Sequence, residues 1–146
     1  MSVGKRVVNE RQRRLILEVV ERPAVGELKK HVKEVGRRFV LVDNKNTERP
    51  KLYAVTRVVK NIKERVAVTE PRSHSIDSVM IFLGDRDDLS GLKARVQLED
   101  EVYQIVSPSS VYVPAGLKHN YAFEGGSGKY IKIVLAPDGN YNAITT

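Results

Sequence analysis

The stretch from Ser107 to Asn120, SPSSVYVPAGLKHN, constrains the fold most tightly. Val111 and Val113 alternate with Tyr112, the period of a half-buried strand. Pro114 then ends the hydrogen-bonded ladder by removing an amide, and Gly116 permits a turn closed to residues that carry a side chain. His119 opens the next alternating run, which continues to Phe123. Pro-x-Gly-x-x-His is therefore a device that aims one imidazole from the first residue of a strand.

The rest of the chain is punctuated in the same way. Runs rich in β-branched residues at Arg38–Asp43, Leu52–Val59, Arg65–Thr69 and Val79–Leu83 read as strands. Lys60–Glu64 splits the second run from the third. Lys93–Leu98 and Val102–Val106 flank Glu99-Asp100-Glu101 as a hairpin, and Ser110–Val113, Asn120–Phe123 and Tyr130–Leu135 complete the set. Gly125–Gly128 is expected as the last turn. Many short strands with polar turns argue for an all-β sandwich or closed barrel. Ahead of them, Leu15–Val20 reads as a strand, or as a short helix running into one, until Pro23 breaks it. Val25, Leu28, Val32 and Val35 share one face at helical spacing and predict a helix over residues 25–35, stopped by Gly36 and packed outside the barrel. His31 lies beside that stripe and reads as a surface histidine. Residues 1–9 show no periodicity and are expected to be loose.

At 146 residues the chain is expected to form one domain, with the barrel over roughly residues 38–136. It has no cysteine, which excludes disulfides, thiolate ligands and a cysteine nucleophile. Without an apolar run long enough to span a bilayer, the expected location is the cytoplasm, with no membrane partner. The net charge of +7 is uneven, since residues 1–72 carry +10 and residues 73–146 carry −3. A basic half either marks nucleic-acid or acidic-partner binding or forms a solvated lysine-rich face. The segment 14–36 can also be read as a helix-turn-helix, although a strand rather than a recognition helix follows it.

Pro114-Ala115-Gly116-Leu117-Lys118-His119 resembles the second motif of the cupins, small β-barrels in which the matching histidine usually binds a metal. Pro71–Gly84 resembles their first motif: His-x-His, a glutamate three or four residues on, and a glycine after an apolar strand. Alternate strand residues point into the barrel, so His-x-His offers two imidazoles on one face. The resemblance covers roughly residues 17–136. It also takes in the Leu17–Pro23 segment, the Arg38–Asp43 strand and the acidic loop Gly84–Leu92, as in a group of single-domain cupins of unsettled function. Set on that template, His74 is the second histidine and His119 the third. Arg72 replaces the first histidine and Ser78 the glutamate, with Asp77 adjoining but facing the other way. Pro108 and Phe123 replace a usual glycine and asparagine. A guanidinium cannot ligate a metal and repels one nearby.

A barrel of this kind is expected to gather Arg72, His74, Ser78 and His119 at its mouth, with Tyr121 on the face of His119. Such a set suits a carboxylate, phosphate or sugar oxygen. It also suits metal-free acid–base chemistry of the isomerase, epimerase or cyclase type. There His119 or His74 would carry the proton, and Arg72 would stabilise an enolate-like anion. No cofactor is then required. The alternatives are a divalent-metal enzyme, a dioxygenase or isomerase using His74 and His119, and a non-catalytic interaction or nucleic-acid module using the basic N-terminal half. The resemblance also implies a homodimer.

Overall fold

The computed structural model describes residues 10–146; the expectation for residues 1–9 lies outside the described residues. A single helical turn, α1 (Glu10–Arg13), precedes nine strands. These are β1 (Val20–Glu21), β2 (Arg37–Val42), β3 (Tyr53–Ile62), β4 (Val66–Ala67), β5 (Ser78–Gly84), β6 (Leu92–Leu98), β7 (Glu101–Val106), β8 (Ser109–Val113) and β9 (His119–Val134). Two short 3-10 turns, Pro137–Gly139 and Asn142–Ile144, close the chain.

Strand β9 organises the architecture because it belongs to two layers. From Gly126 to Val134 it runs antiparallel between β3 and β5. From His119 to Gly126 it runs between β4 and β6. One layer is thus β1-β2-β3-β9-β5-β8, and the other is β4-β9-β6 with β7 on its outer side. The predicted strands Asn120–Phe123 and Tyr130–Leu135 are the two halves of this one strand. The expected turn at Gly125–Gly128 is the place where it bends between layers. Gly126 has φ +88°, and a Cβ there would lie 1.9 Å from the Gly91 carbonyl oxygen. A Cβ on Gly128 would lie 2.1 Å from that of Leu83. Glycine is required at both places because backbone passes where side chains would otherwise stand.

Alternation decides the interior. β5 buries Ser78, Met80, Phe82 and Gly84, and β6 buries Leu92, Ala94 and Val96. One apolar cluster centres on Met80, Phe82, Val96, Tyr121, Phe123 and Tyr130. A second joins Val40, Tyr53, Val55, Val134, Tyr141 and Ile144. Between them, on the same parity, stand charged residues. Arg57 lies between Val55 and Val59 on β3, and Lys132 lies between Tyr130 and Val134 on β9; Arg57 is 3% and Lys132 2% exposed.

Four sequence expectations differ from the structure. Residues 25–35 form successive turns rather than a helix, with Val25 and Val32 exposed. A helix of that length is marginal without tertiary support. Here Glu34 takes the amides of Ala24 and Val25 on one carboxylate oxygen, and Val32 donates its amide to Val68. His31 is bridged to Thr69 and places its ring 5.6 Å from that of Tyr141, so it is half-buried rather than a surface residue. Of the expected first strand, Leu15–Val20, only Val20 pairs, as part of β1 against β2; Leu15 and Ile16 sit exposed in a turn. The polar segment 60–64 also does not split its strands cleanly, because β3 continues to Ile62. No helix of the described residues is long and apolar enough to cross a membrane.

The bend in β9 is testable. Gly126→Ala is expected to destabilise the fold by about 1–3 kcal/mol, from the left-handed backbone and the contact with Gly91. Urea denaturation followed by circular dichroism measures this, and an unchanged midpoint would contradict the role assigned to Gly126.

Candidate functional site

The two motif halves are joined through their backbones. Arg72 donates its amide to the His119 carbonyl at 3.0 Å and accepts the His119 amide at 2.8 Å. Gly116, in the turn that precedes β9, donates to the His74 carbonyl at 2.8 Å. On the far side of the same segment, the Ser73 and Thr146 backbones exchange two hydrogen bonds, and Ser75 donates to Ile144. Residues 72–75 are therefore clamped between the start of β9 and the C-terminal segment. Alternation along this clamped piece turns Arg72 and His74 inward together, both 2% exposed.

Arg72 makes its hydrogen bonds to neutral oxygens. Nε donates to Tyr141 Oη at 3.1 Å and Nη1 to Thr69 Oγ1 at 2.9 Å, while its guanidinium lies 5.6 Å from the Tyr121 ring centre. Lys132 Nζ lies 3.2 Å from His119 Nε2. Among the described residues, neither Arg72 nor Lys132 has a carboxylate in ion-pairing range. The contrast with their neighbours is sharp. Arg57 donates to Glu34 at 2.5 Å, and Arg38 lies 3.7 Å from Glu27 while donating to Tyr53 Oη at 2.7 Å.

The imidazole tautomers follow from their partners. His119 Nδ1 lies 2.9 Å from the Leu117 carbonyl, which can only accept, so Nδ1 carries the proton and Nε2 presents a lone pair to Lys132. Thr145 donates its hydroxyl to the Tyr141 carbonyl at 2.6 Å, so it accepts from His74 Nδ1 at 3.0 Å. His74 Nε2 is left buried and bare. Burial first, then the charges of Lys132 and Arg72, push His119 down to about 3 and push His74 further down. Burial and Arg72 hold Lys132 well below the ordinary lysine range.

Arg57, Arg72, Tyr121, Tyr130, Lys132 and His31 are among the residues that line a small cavity of about 20 Å³. That is room for a single water. Tyr53 and Tyr141 wall both this cavity and an outer hollow of about 220 Å³. A larger open hollow of about 290 Å³ is lined by Arg65, Arg95, Gln97, Val102, Asn120, Tyr121 and Ala122, and so shares Tyr121 with the small cavity.

Of the residues expected at the site, Arg72 and Tyr121 line the cavity, and His119 reaches it through Lys132. His74 stands behind, with its ring 4.9 Å from that of His119 and 5.1 Å from that of Tyr141. Ser78 is buried on β5 across from Val113 and Val134, its hydroxyl without a partner, and it is not part of the cavity lining. Asp77 faces outward, accepting from the Tyr112 hydroxyl and, at 2.8 Å, from the Ala115 amide. Lys118 is exposed. Sequence reasoning missed Lys132, Arg57, Tyr130 and Tyr141 altogether. For Lys132 the signal was present, as every second residue of Tyr130-Ile131-Lys132-Ile133-Val134 shares one face.

The donor set does not suit a divalent metal. Two imidazole lone pairs are available, but no carboxylate joins them, and the described residues contain no cluster of three His, Cys, Asp or Glu side chains able to hold an ion. A catalytic metal takes about three protein ligands, and here Arg72 and Ser78 stand where two of the usual four would be.

No protein-family model matches the chain, and no curated protein matches it. Solved structures do. Oxalate decarboxylase from Bacillus subtilis aligns with a TM-score of 0.54 and 14% identity over 86% of this chain, which spans 31% of that one. A cupin-like protein from Thermotoga maritima aligns at 0.52 with 14% identity, covering 82% of this chain and 83% of that one. Streptomyces PAC13 with uridine aligns at 0.51 with 17% identity, over 86% and 88%. With β9 shared between two layers and the two motif halves bridged at Arg72 and His119, the chain has the cupin fold.

Proposed function

We propose that this barrel binds a small anionic or polar molecule, a carboxylate or a sugar-like oxyanion, without a metal, and that Arg72 supplies the counter-charge. The observation that carries the reading is the unpaired cation. Arg72 is buried beside Lys132 with no carboxylate partner. An isolated buried charge costs several kcal/mol, and a guanidinium cannot escape that cost by losing its proton. An anion in the cavity removes the cost. The bare His74 Nε2 and the unpartnered Tyr130 hydroxyl offer further positions for ligand hydroxyls or a bridging water.

The same interior supports metal-free acid–base chemistry. A neutral His119 accepts through Nε2 while Leu117 fixes its other nitrogen, and Arg72 stabilises the enolate-like anion that proton removal would leave. A ligand larger than a water enters by displacement of Tyr141, which the outer hollow already reaches. Of the basic residues in 1–72, Arg38, Arg57 and Arg72 are buried, and Arg22 and Arg37 pair with Asp43 and Glu21.

Calorimetric titration with small carboxylates at fixed ionic strength tests the reading. Binding is expected for the parent protein, weaker by about 10- to 100-fold in Arg72→Gln, and partly kept in Arg72→Lys. Equal binding by parent and Arg72→Gln would overturn it. Mass spectrometry of tag-free protein is expected to find no more divalent metal than in a His74→Ala/His119→Ala control. A stoichiometric ion lost in that control would restore the metal reading.

The histidines also set a pH response. A base whose folded pKa is depressed binds fewer protons in the folded than in the unfolded state between the two values, so stability falls on acidification. For His31 and His119 that window runs from 6.5 down to about 3. It opens above the ordinary carboxylate range, below which the contribution of the paired Glu34 and Asp43 is lost. Each histidine contributes up to about 1.4 kcal/mol per pH unit. The melting temperature is therefore expected to fall between about pH 6.5 and about pH 5, and less steeply in His119→Gln. A flat profile over that interval would contradict the neutral assignment.

A further inference from the structure

We propose that Lys132 is an imine-forming amine, and that the barrel takes a small 2-oxo acid whose carboxylate sits on Arg72 and whose carbonyl carbon meets Lys132 Nζ. This rests on the anion pocket proposed above and names its substrate class. Four observations carry it. Lys132 projects inward from β9 between two apolar clusters and is 2% exposed, so water does not hold it as an ammonium. Among the described residues it has no carboxylate partner, and its one hydrogen bond runs to a nitrogen lone pair, that of His119. It lines the same small cavity as Arg72, so a ligand that displaces Tyr141 can reach both. The tautomer of His119 is fixed by Leu117, which leaves Nε2 free to take and return a proton beside the amine.

A lysine desolvated next to a second cation is the environment in which an amine acts as a nucleophile near neutral pH. The depressed lysine pKa agrees with this geometry. The step balances without an oxidant or reductant. The Nζ lone pair attacks the carbonyl carbon and forms a C–N bond, while the carbonyl π pair moves to oxygen. The two protons of the amine pass to that oxygen, with His119 Nε2 as the shuttle, and the oxygen leaves as water. The product is an imine, which one further proton from water converts to the iminium. Arg72 keeps the carboxylate in place throughout. An exposed lysine has the same amine but neither the desolvation nor the neighbouring guanidinium.

The test uses the full chain with pyruvate as probe and cyanoborohydride to reduce any iminium at neutral pH. Intact mass and peptide mapping are expected to show a gain of one pyruvate less one oxygen atom on Lys132. Labelling there is expected to exceed that of the exposed lysines of the same chain by at least about tenfold. Lys132→Met, close in volume and uncharged, is expected to lose that adduct. Labelling confined to exposed lysines, or unchanged in Lys132→Met, overturns the inference. The peptide map of the parent protein decides the matter even if the variant does not fold. Lactate, a carboxylate without the ketone, is titrated alongside. Arg72-dependent lactate binding with no adduct on Lys132 overturns the imine inference alone, whereas no lactate binding and no adduct overturn the pocket as well.

Discussion

A positive charge without a partner, held inside a barrel, is the constraint on which the site depends. Four cationic side chains, Arg38, Arg57, Arg72 and Lys132, are at least 97% buried. Two are accounted for locally. Glu34 meets Arg57 and at the same time ties down the turns of residues 24–25; Glu27 lies near Arg38. The other two have only phenols, hydroxyls and imidazole lone pairs around them. Replacing Arg72 by an apolar side chain would suit the flanking clusters better, since its buried unpaired charge opposes folding by several kcal/mol. An anion beside Arg72 would remove that cost, and this is the physical basis of the proposed anion reading.

The fold delivers this layer through main-chain geometry. The antiparallel bridge between Arg72 and His119, the bond from Gly116 to His74 and the exchange between Ser73 and Thr146 fix three site residues before any side-chain interaction is counted. Strand β9 contributes at both ends, His119 from the half that pairs with β6 and Lys132 from the half that pairs with β3 and β5. The Gly126 bend therefore positions His119 against Lys132. The C-terminal segment closes the top, with Tyr141 bonded to Arg72 and Thr145 setting the His74 tautomer. A segment that both orders the site and walls it from the outer hollow is also the one a ligand must move.

How much of this was legible in the sequence varies residue by residue. The Pro114–His119 turn specified its outcome because proline and glycine act locally, and the spacing from Arg72 to His74 carried its parity with it. Lys132 was hidden by the rule that usually succeeds. In Tyr130-Ile131-Lys132-Ile133-Val134, hydrophobicity favours Ile131 and Ile133 as the inward pair, yet the barrel buries Tyr130, Lys132 and Val134. The rule fails here because the buried parity of β9 carries a lysine between Tyr130 and Val134. The helix over residues 25–35 failed for a different reason. Its valine spacing was real, but the Val68 carbonyl took the amides of Val32 and Lys33 that a helix would have used, while Glu34 held those of Ala24 and Val25. The single long β9 was divided in the sequence because its glycines read as a turn. They mark a bend whose need becomes visible only when Gly91 and Leu83 are seen to pass beside it.

The most direct test of an anion-seeking interior is anomalous diffraction from crystals grown in bromide, a single atom of a size suited to a cavity with room for about one water. The account predicts an anomalous peak enclosed by Arg72, Lys132 and Tyr130, absent in Arg72→Gln crystals grown the same way. Bromide confined to the surface lysines, with the cavity filled by water in both proteins, would contradict it.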